Sequence, residues 1–207
     1  MISDPHAPCR GCSSCIDGLP EACLQRRCPG HGEDEGGLAE RQSCAEELLI
    51  DLPSDIDPDM AIWSSEAATA LGAMRSVLPG DRPYVSVVGD SAAAILAGEL
   101  GSHRDSRFRL LCQRHSTLKE ADRRGIRARL LSEVGQHGDQ DVLVLLDGAL
   151  DVPKLLQLLR PRGRLVLARP PRISADFFSL FRQQLTVLPS AASSVRSGSV
   201  SYTHLTL

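Results

Sequence analysis

The sequence predicts an α/β protein with a doubly wound parallel sheet, preceded by a short cysteine-rich lobe, and three features predict it. The first is the run from Tyr84 to Leu100, which opens as a β-rich apolar stretch, breaks at Gly89 and continues as a small-residue helix. The second is the regular alternation of strand-like and helix-like segments after Tyr84, the pattern of repeated βαβ units. The third is the near-continuous apolar character of strands such as Val142 to Leu146, which implies burial on both faces.

Taken in order, residues 1–36 are rich in Cys, Gly, Pro and charge, without a usable period, so burial alone does not hold them. Cys9, Cys12, Cys15 and Cys23 are spaced C-x2-C-x2-C-x7-C, which lets four thiolates converge on one tetrahedral ion. Zn²⁺ suits four sulfurs at roughly 2.3 Å, and a closed shell of this kind marks a structural site. The competing reading is an iron–sulfur cluster, because C-x2-C-x2-C also opens a ferredoxin run and Pro29 follows Cys28. Against it, Cys28 lies far beyond the three-residue spacing of that run.

Leu38 to Ser43 and Leu48 to Leu52 alternate as two short strands joined by Ala45-Glu46-Glu47. Asp57-Pro58-Asp59 starts a helix that runs from Met60 to Val77 and stops at Pro79-Gly80. After Tyr84–Val88, strands are expected at Arg107–Cys112, Arg127–Leu131, Asp141–Leu146, Arg164–Ala168 and Gln184–Leu188. Helices are expected at Thr117–Arg124, Pro153–Arg160 and Ala175–Arg182. Thr117 with Glu120 fits a capping box, and Asp151 caps a helix that has Pro153 in its first turn. Six strands with right-handed crossovers close a doubly wound sheet, the Rossmann arrangement. Ser190 to Leu207 shows neither period, and its end from Val200 resembles one reading frame of a sequencing adapter. The tail 191–207 is therefore set aside as disordered, with an artificial stop expected after the sixth strand.

Composition narrows the function. The chain has 207 residues, 42% hydrophobic and 24% charged, with a formal net charge of -3. That charge offers no field for nucleic acid or an anionic membrane. One Trp, two Tyr and four Phe make base-stacking platforms unexpected. No apolar run reaches about 18 residues, and the N-terminus lacks a signal peptide's basic and apolar regions, so a cytoplasmic protein is expected. Five of seven cysteines fall between Cys9 and Cys28, and in a reducing compartment such crowding favours metal over disulfides.

The strand–turn–helix at Gly89 has a use. A helix N-terminus carries about half a positive charge and can hold a pyrophosphate on its amides. The fingerprint G-x-G-x-x-G would place glycines at 89, 91 and 94, where this chain has Gly89, Ser91 and Ala94. Ala94 is tolerated where helix packs on strand, whereas Ser91 puts a side chain at the phosphate approach. Gly89, Asp90, Ser91, Ala92 and Ala93 thus read either as a dinucleotide turn or as a buried α/β turn. After the second strand, Gln113-Arg114-His115-Ser116 lacks the carboxylate that usually binds the ribose 2′-hydroxyl. Arg114, with Ser116, can instead contact a 2′-phosphate, favouring NADP over NAD; the other reading is a solvated polar turn.

At these residues the chain resembles the medium-chain, zinc-type alcohol dehydrogenases. The Cys9, Cys12, Cys15, Cys23 quartet resembles their structural-zinc lobe. Gly36-Gly37-Leu38-Ala39-Glu40, Leu49 to Asp57, Pro79-Gly80-Asp81-Arg82 and Leu159 to Val166 are similar to further family segments, in the family's order. The resemblance covers about Cys9 to Ser190. It implies a partial catalytic-type domain at 1–77, with the structural-zinc lobe and a linking helix, and a Rossmann dinucleotide-binding domain at 78–190. It further implies structural zinc, NADP or NAD, a small alcohol or carbonyl substrate in the full-length parent, and a homodimer through the strand at 184–188. The family's first catalytic-zinc ligands lie upstream of the structural-zinc lobe, so the chain reads as a fragment, inactive alone, whose catalytic residues are not identified. The family's E-P-L-A segment matches Ser64-Ser65-Glu66-Ala67-Ala68 poorly; the best register puts Ser65 at the carboxylate and leaves Glu66 as a solvated helix residue. The six histidines are scattered and read as surface or capping residues. The alternatives are an iron–sulfur electron carrier, a non-catalytic dinucleotide-binding protein, and a truncation product that does not fold.

Overall fold

Strand and helix assignments come from a computed structural model that describes residues 1–4, 6–29, 36–77, 83–102, 107–147, 151–169 and 177–190. Before the main sheet lie β1 (Ile2–Ser3), α1 (Ser13–Ile16), β2 (Leu49–Ile50), α2 (Pro58–Ala61) and α3 (Ser64–Arg75). The alternating part follows as β3 (Val85–Val88), α4 (Ala92–Ser102), β4 (Phe108–Cys112), α5 (His115–Arg123) and β5 (Ala128–Leu130). It continues through β6 (Gln140–Leu145), α6 (Val152–Leu156), β7 (Leu159–Leu167), α7 (Phe177–Arg182) and β8 (Thr186–Pro189).

The six strands β3 to β8 form one sheet in the order β5-β4-β3-β6-β7-β8, every neighbouring pair parallel. This is the expected doubly wound order. The chain leaves β3 in one direction and returns at β6 on its other side, so a crevice opens at the C-terminal ends of these two strands. All four residues of β3 are buried. One face of the sheet (Val85, Val87, Leu110, Val144) packs against Ala93, Ala94 and Ala97 of α4 and Ala67, Ala70 and Ala73 of α3. The other face (Val88, Leu111, Leu143, Leu145) packs against Val152, Leu155 and Leu156 around α6. Each fully buried Leu or Val contributes about 1.5–3 kcal/mol, so these layers dominate stability. Small residues let α3 and α4 lie close together. At Gly101 an added Cβ would fall 2.2 Å from the Phe108 ring, which requires glycine there.

Several expectations give way to tertiary context. Leu38 to Ser43 forms no strand and Leu38 is fully exposed; β2 pairs antiparallel with β1 instead, Ile2 opposite Ile50 and Ser3 opposite Leu49. Alternation marks a strand but does not name its partner. The linking helix divides into α2 and α3 at Ile62–Trp63, where the Ser64 hydroxyl donates to the Ala61 carbonyl at 2.7 Å and competes with the helical ladder. Its start is as expected, Asp57 accepting from the Asp59 amide at 2.9 Å. Thr117 is not a cap: α5 begins at His115, Thr117 is buried, and Glu120 pairs with Arg123 and Arg124 at 3.1 and 2.7 Å. The helix expected at Pro153–Arg160 ends at Leu156, although Asp151 does cap it through the Lys154 amide at 3.4 Å. β7 begins early, at Leu159, and carries a register shift across the stretch containing Pro161 and left-handed Arg162, φ 63°. Proline lacks the ladder donor, and the strand bulges there instead of stopping. β8 is shifted to Thr186 because Gln184, at φ 51°, still closes α7 through the Phe181 carbonyl.

The helix stop at Pro79-Gly80, the approach Pro79 to Arg82, the helix start at Ala175 and the tail 191–207 lie outside the described residues. Among the described residues no helix is long and apolar enough to cross a membrane.

Candidate functional site

The four expected cysteines converge. Ligand sulfurs of Cys9, Cys12, Cys15 and Cys23 all lie within 4.8 Å of one another, with Cys12 Sγ 3.5 Å from Cys15 Sγ and 3.8 Å from Cys23 Sγ. A tetrahedral ion with bonds of roughly 2.3 Å requires sulfurs about 3.8 Å apart, so the group fits one ion. Local backbone builds it. Arg10, left-handed at φ 62°, turns the chain between Cys9 and Cys12, and α1 brings Cys15 round one turn later. The amides of Gly11 and Cys12 lower the Cys9 thiol to about 7. Desolvation is the first cause that pushes Cys15 up to about 12. Metal binding must displace that proton. The Cys9 amide itself donates to Cys23 Sγ at 3.4 Å. Cys28 stands outside the group, and the sulfurs are too closely spaced to surround a multi-iron core, which removes the geometry of the ferredoxin reading. Around the cluster the lobe is tied by paired backbone bonds between Ala7 and Arg27, 3.0 Å each, and of the four cysteines only Cys23 is buried.

The second group gathers at the switch point. β3 ends at Val88, and an added Cβ on Gly89 would lie 3.1 Å from both the Ala94 Cβ and the Asp147 carboxylate. Glycine therefore allows α4 to pass close behind the strand. The amides of Ala94 and Ile95 pair with the Ser91 carbonyl at 3.0 and 3.2 Å. The Ser91 hydroxyl is enclosed and has no hydrogen-bond partner. Gly89, Asp90, Ser91, Ala92, Ala93, Gln113 and Arg114 are thus brought to one place, the adjoining ends of β3 and β4. His115 and Ser116 open α5 beside them and are exposed.

Carboxylates fill much of this head. Asp90 reaches across to the end of β4, where its Oδ2 accepts from the Gln113 amide and its Oδ1 from the Arg114 amide, 3.0 Å each. The strand end that lacks an acid in sequence receives one from the glycine turn. Arg114 returns a bond from Nη2 to the Asp90 carbonyl at 2.8 Å. Asp147, after β6, accepts from the Asp90 amide. Glu66 is not a solvated helix residue: it is half-buried on α3, its Oε2 accepts from the Ala93 amide at 3.2 Å, and its Oε1 pairs with Arg169 Nη2 at 2.7 Å. Ser65, expected at the family's carboxylate position, is exposed. Nothing local to Glu66 signals its role, because its partners lie 27 and 103 residues away in sequence. Beside Gln113 a cleft of about 360 Å³ is lined by Leu131, Val134, Lys154, Leu155 and Leu158.

No family model matches the chain, and no curated protein matches it by sequence. Solved structures do. A protein described as a zinc-binding dehydrogenase from Sinorhizobium meliloti 1021, bound to NADP, superposes with a TM-score of 0.80 at 18% identity, covering 98% of this chain and 65% of that one. Galactitol-1-phosphate dehydrogenase from Escherichia coli gives 0.82 at 17% identity, covering 99% and 66%. The D-arabinose dehydrogenase from Sulfolobus solfataricus gives 0.81 at 17% identity, covering 98% and 69%. The chain therefore spans about two thirds of the length of these proteins. At such identities the likeness speaks for the fold, and the chain carries the fold of the zinc-type medium-chain dehydrogenases.

Proposed function

We propose that this chain is the structural-zinc and dinucleotide-binding part of a zinc-type, alcohol dehydrogenase-like oxidoreductase. The observation that supports it most is the coincidence of two independent groups in one fold: a four-cysteine cluster spaced for one ion and a switch-point turn at Gly89. In this reading residues 1–77 belong to a catalytic-type domain, and 78–190 bind NADP or NAD. Cys9, Cys12, Cys15 and Cys23 hold Zn²⁺, whose closed sulfur shell leaves no place for substrate and makes it structural. The pyrophosphate lies over the amides of Ala92 and Ala93 at the head of α4. The cleft beside Gln113 is of a size for the adenine. Arg114, its side chain 64% exposed, faces the ribose and favours a 2′-phosphate. Asp90 is already committed to two amides, so it offers little to ribose hydroxyls.

When bound, the nicotinamide accepts or donates a hydride to an alcohol or carbonyl of the parent protein's substrate. In this reading the chain's own residues bind and orient the cofactor. Among the described residues β8 is an edge strand of the sheet, which supports a homodimer formed there.

Calorimetric titration of the zinc-loaded protein with NADP and NAD tests the reading. Binding of either at a 1:1 ratio, with NADP the tighter, is expected. Binding of neither would overturn it. A second reading, a non-catalytic dinucleotide-binding protein, has the same binding outcome and rests on Ser91 and Ala94 in the fingerprint.

A further inference from the structure

A helix of the length of α4 leaves its first amides without intrahelical partners, and those amides are what a phosphate would use. Here one of them is taken by the protein itself. Glu66 crosses from α3 and places Oε2 3.2 Å from the Ala93 amide, while Oε1 lies 2.7 Å from Arg169 Nη2 beyond β7. The carboxylate thus sits as an anion would, between a helix-head amide and a guanidinium. Its two oxygens, single negative charge and paired donors match those of one phosphate group. Alongside it, Ser91 Oγ is enclosed without a partner, so the same head holds a further donor not in use.

We propose that Glu66 is a resident substitute for phosphate, and that Ala93 N and Arg169 form the seat taken by a nucleotide's pyrophosphate once Glu66 leaves it. The inference rests on the nucleotide reading above and adds two residues to it: Arg169 as a phosphate-binding residue and Glu66 as the group that sets affinity. Two anions cannot share one pair of donors, because their mutual repulsion is strong where water is partly excluded. Pyrophosphate binding is therefore a displacement. Glu66 must rotate out, and Arg169 exchanges a carboxylate for a phosphate oxygen. No bond is made or broken in the step.

A merely structural Glu66, capping α4 and tying it to α3, would behave differently when neutralised: the fold would weaken and phosphate affinity would not rise. The experiment titrates inorganic pyrophosphate, and in parallel NADP, into the full chain by calorimetry. Wild type, Glu66→Gln, Glu66→Asp and Arg169→Gln are compared, with the Ala93 amide followed by NMR. Glu66→Gln keeps the side chain's size and removes its charge, and about tenfold tighter pyrophosphate binding is expected. Glu66→Asp, one methylene shorter, is expected to tighten it by less and serves if the first variant does not fold. Arg169→Gln is expected to weaken it about tenfold. In wild type the Ala93 amide should shift on addition of pyrophosphate. Equal or weaker pyrophosphate binding in both Glu66 variants overturns the proposal, as does wild-type affinity in Arg169→Gln. If pyrophosphate behaves as expected but no variant binds NADP, the seat stands and the dinucleotide reading falls. If NADP binds well and is indifferent to Glu66, that reading stands and this one falls.

Discussion

Asp90 and Arg114 are joined in both directions: the Arg114 amide donates to Asp90 Oδ1 at 3.0 Å, and its guanidinium donates to the Asp90 carbonyl at 2.8 Å. The glycine turn and the end of β4 are thereby held as one unit, with the arginine's charged end at the surface. If this pair sets cofactor preference, Arg114→Ala should weaken NADP about tenfold or more and leave NAD within about twofold, since a charged hydrogen bond contributes roughly 1.5–3 kcal/mol. Titration with both cofactors measures this. Equal losses for the two would show that Arg114 holds the loop and reads no phosphate.

The cysteine lobe should bind one Zn²⁺ per chain, measured by elemental analysis. Cys12→Ser removes a sulfur that lies 3.5 and 3.8 Å from two others and should abolish binding. It should also raise amide exchange across residues 1–29 while leaving the sheet protected, because neither buried core layer includes a residue of that stretch. Metal retained in that variant, or iron with acid-labile sulfide, would count against the site.

Glu120 ties α5 to Arg124, which also reaches Glu99 of α4 at 2.8 Å. The Arg124 hydrogen bond is the first cause that lowers the Glu120 carboxyl below its usual range. A carboxylate with a depressed folded-state value stabilises fully above its unfolded value, about 4.3, and loses that effect as pH falls through the folded one. Glu120→Gln should therefore lower Tm at pH 7 slightly, and the difference from wild type should close as the pH falls below the carboxyl's unfolded value. A difference that widens on acidification would contradict the assignment.

Among the described residues β8 is the last strand of the sheet and has no outer neighbour, and its Val187 is exposed. An unpaired apolar edge favours pairing with a second copy. Light scattering should report a dimer at micromolar concentration, and Val187→Lys should shift it to monomer without changing helix content. A wild-type monomer would sink the idea.

The parts legible in sequence are those whose determinants sit close together along the chain. The four cysteines span Cys9 to Cys23, so their spacing alone brings the sulfurs within reach of one ion. β3, Gly89 and α4 are contiguous, and the apolar runs of β4 and β6 declare buried strands, which together imply the doubly wound order. Local rules failed where two elements could compete: Thr117 looked like a cap but lies inside α5, and Leu38 to Ser43 alternates without finding a partner. Only the tertiary structure decided what surrounds the head of α4. Glu66, Asp147 and Arg169 come from three separate elements, and no periodicity or spacing links them to Ala93 or Asp90. Small residues on α3 and α4 allow the close packing that carries Glu66 there. Propensity and patterning act over a few residues, whereas a side chain's charge finds its partner only after the layers have packed.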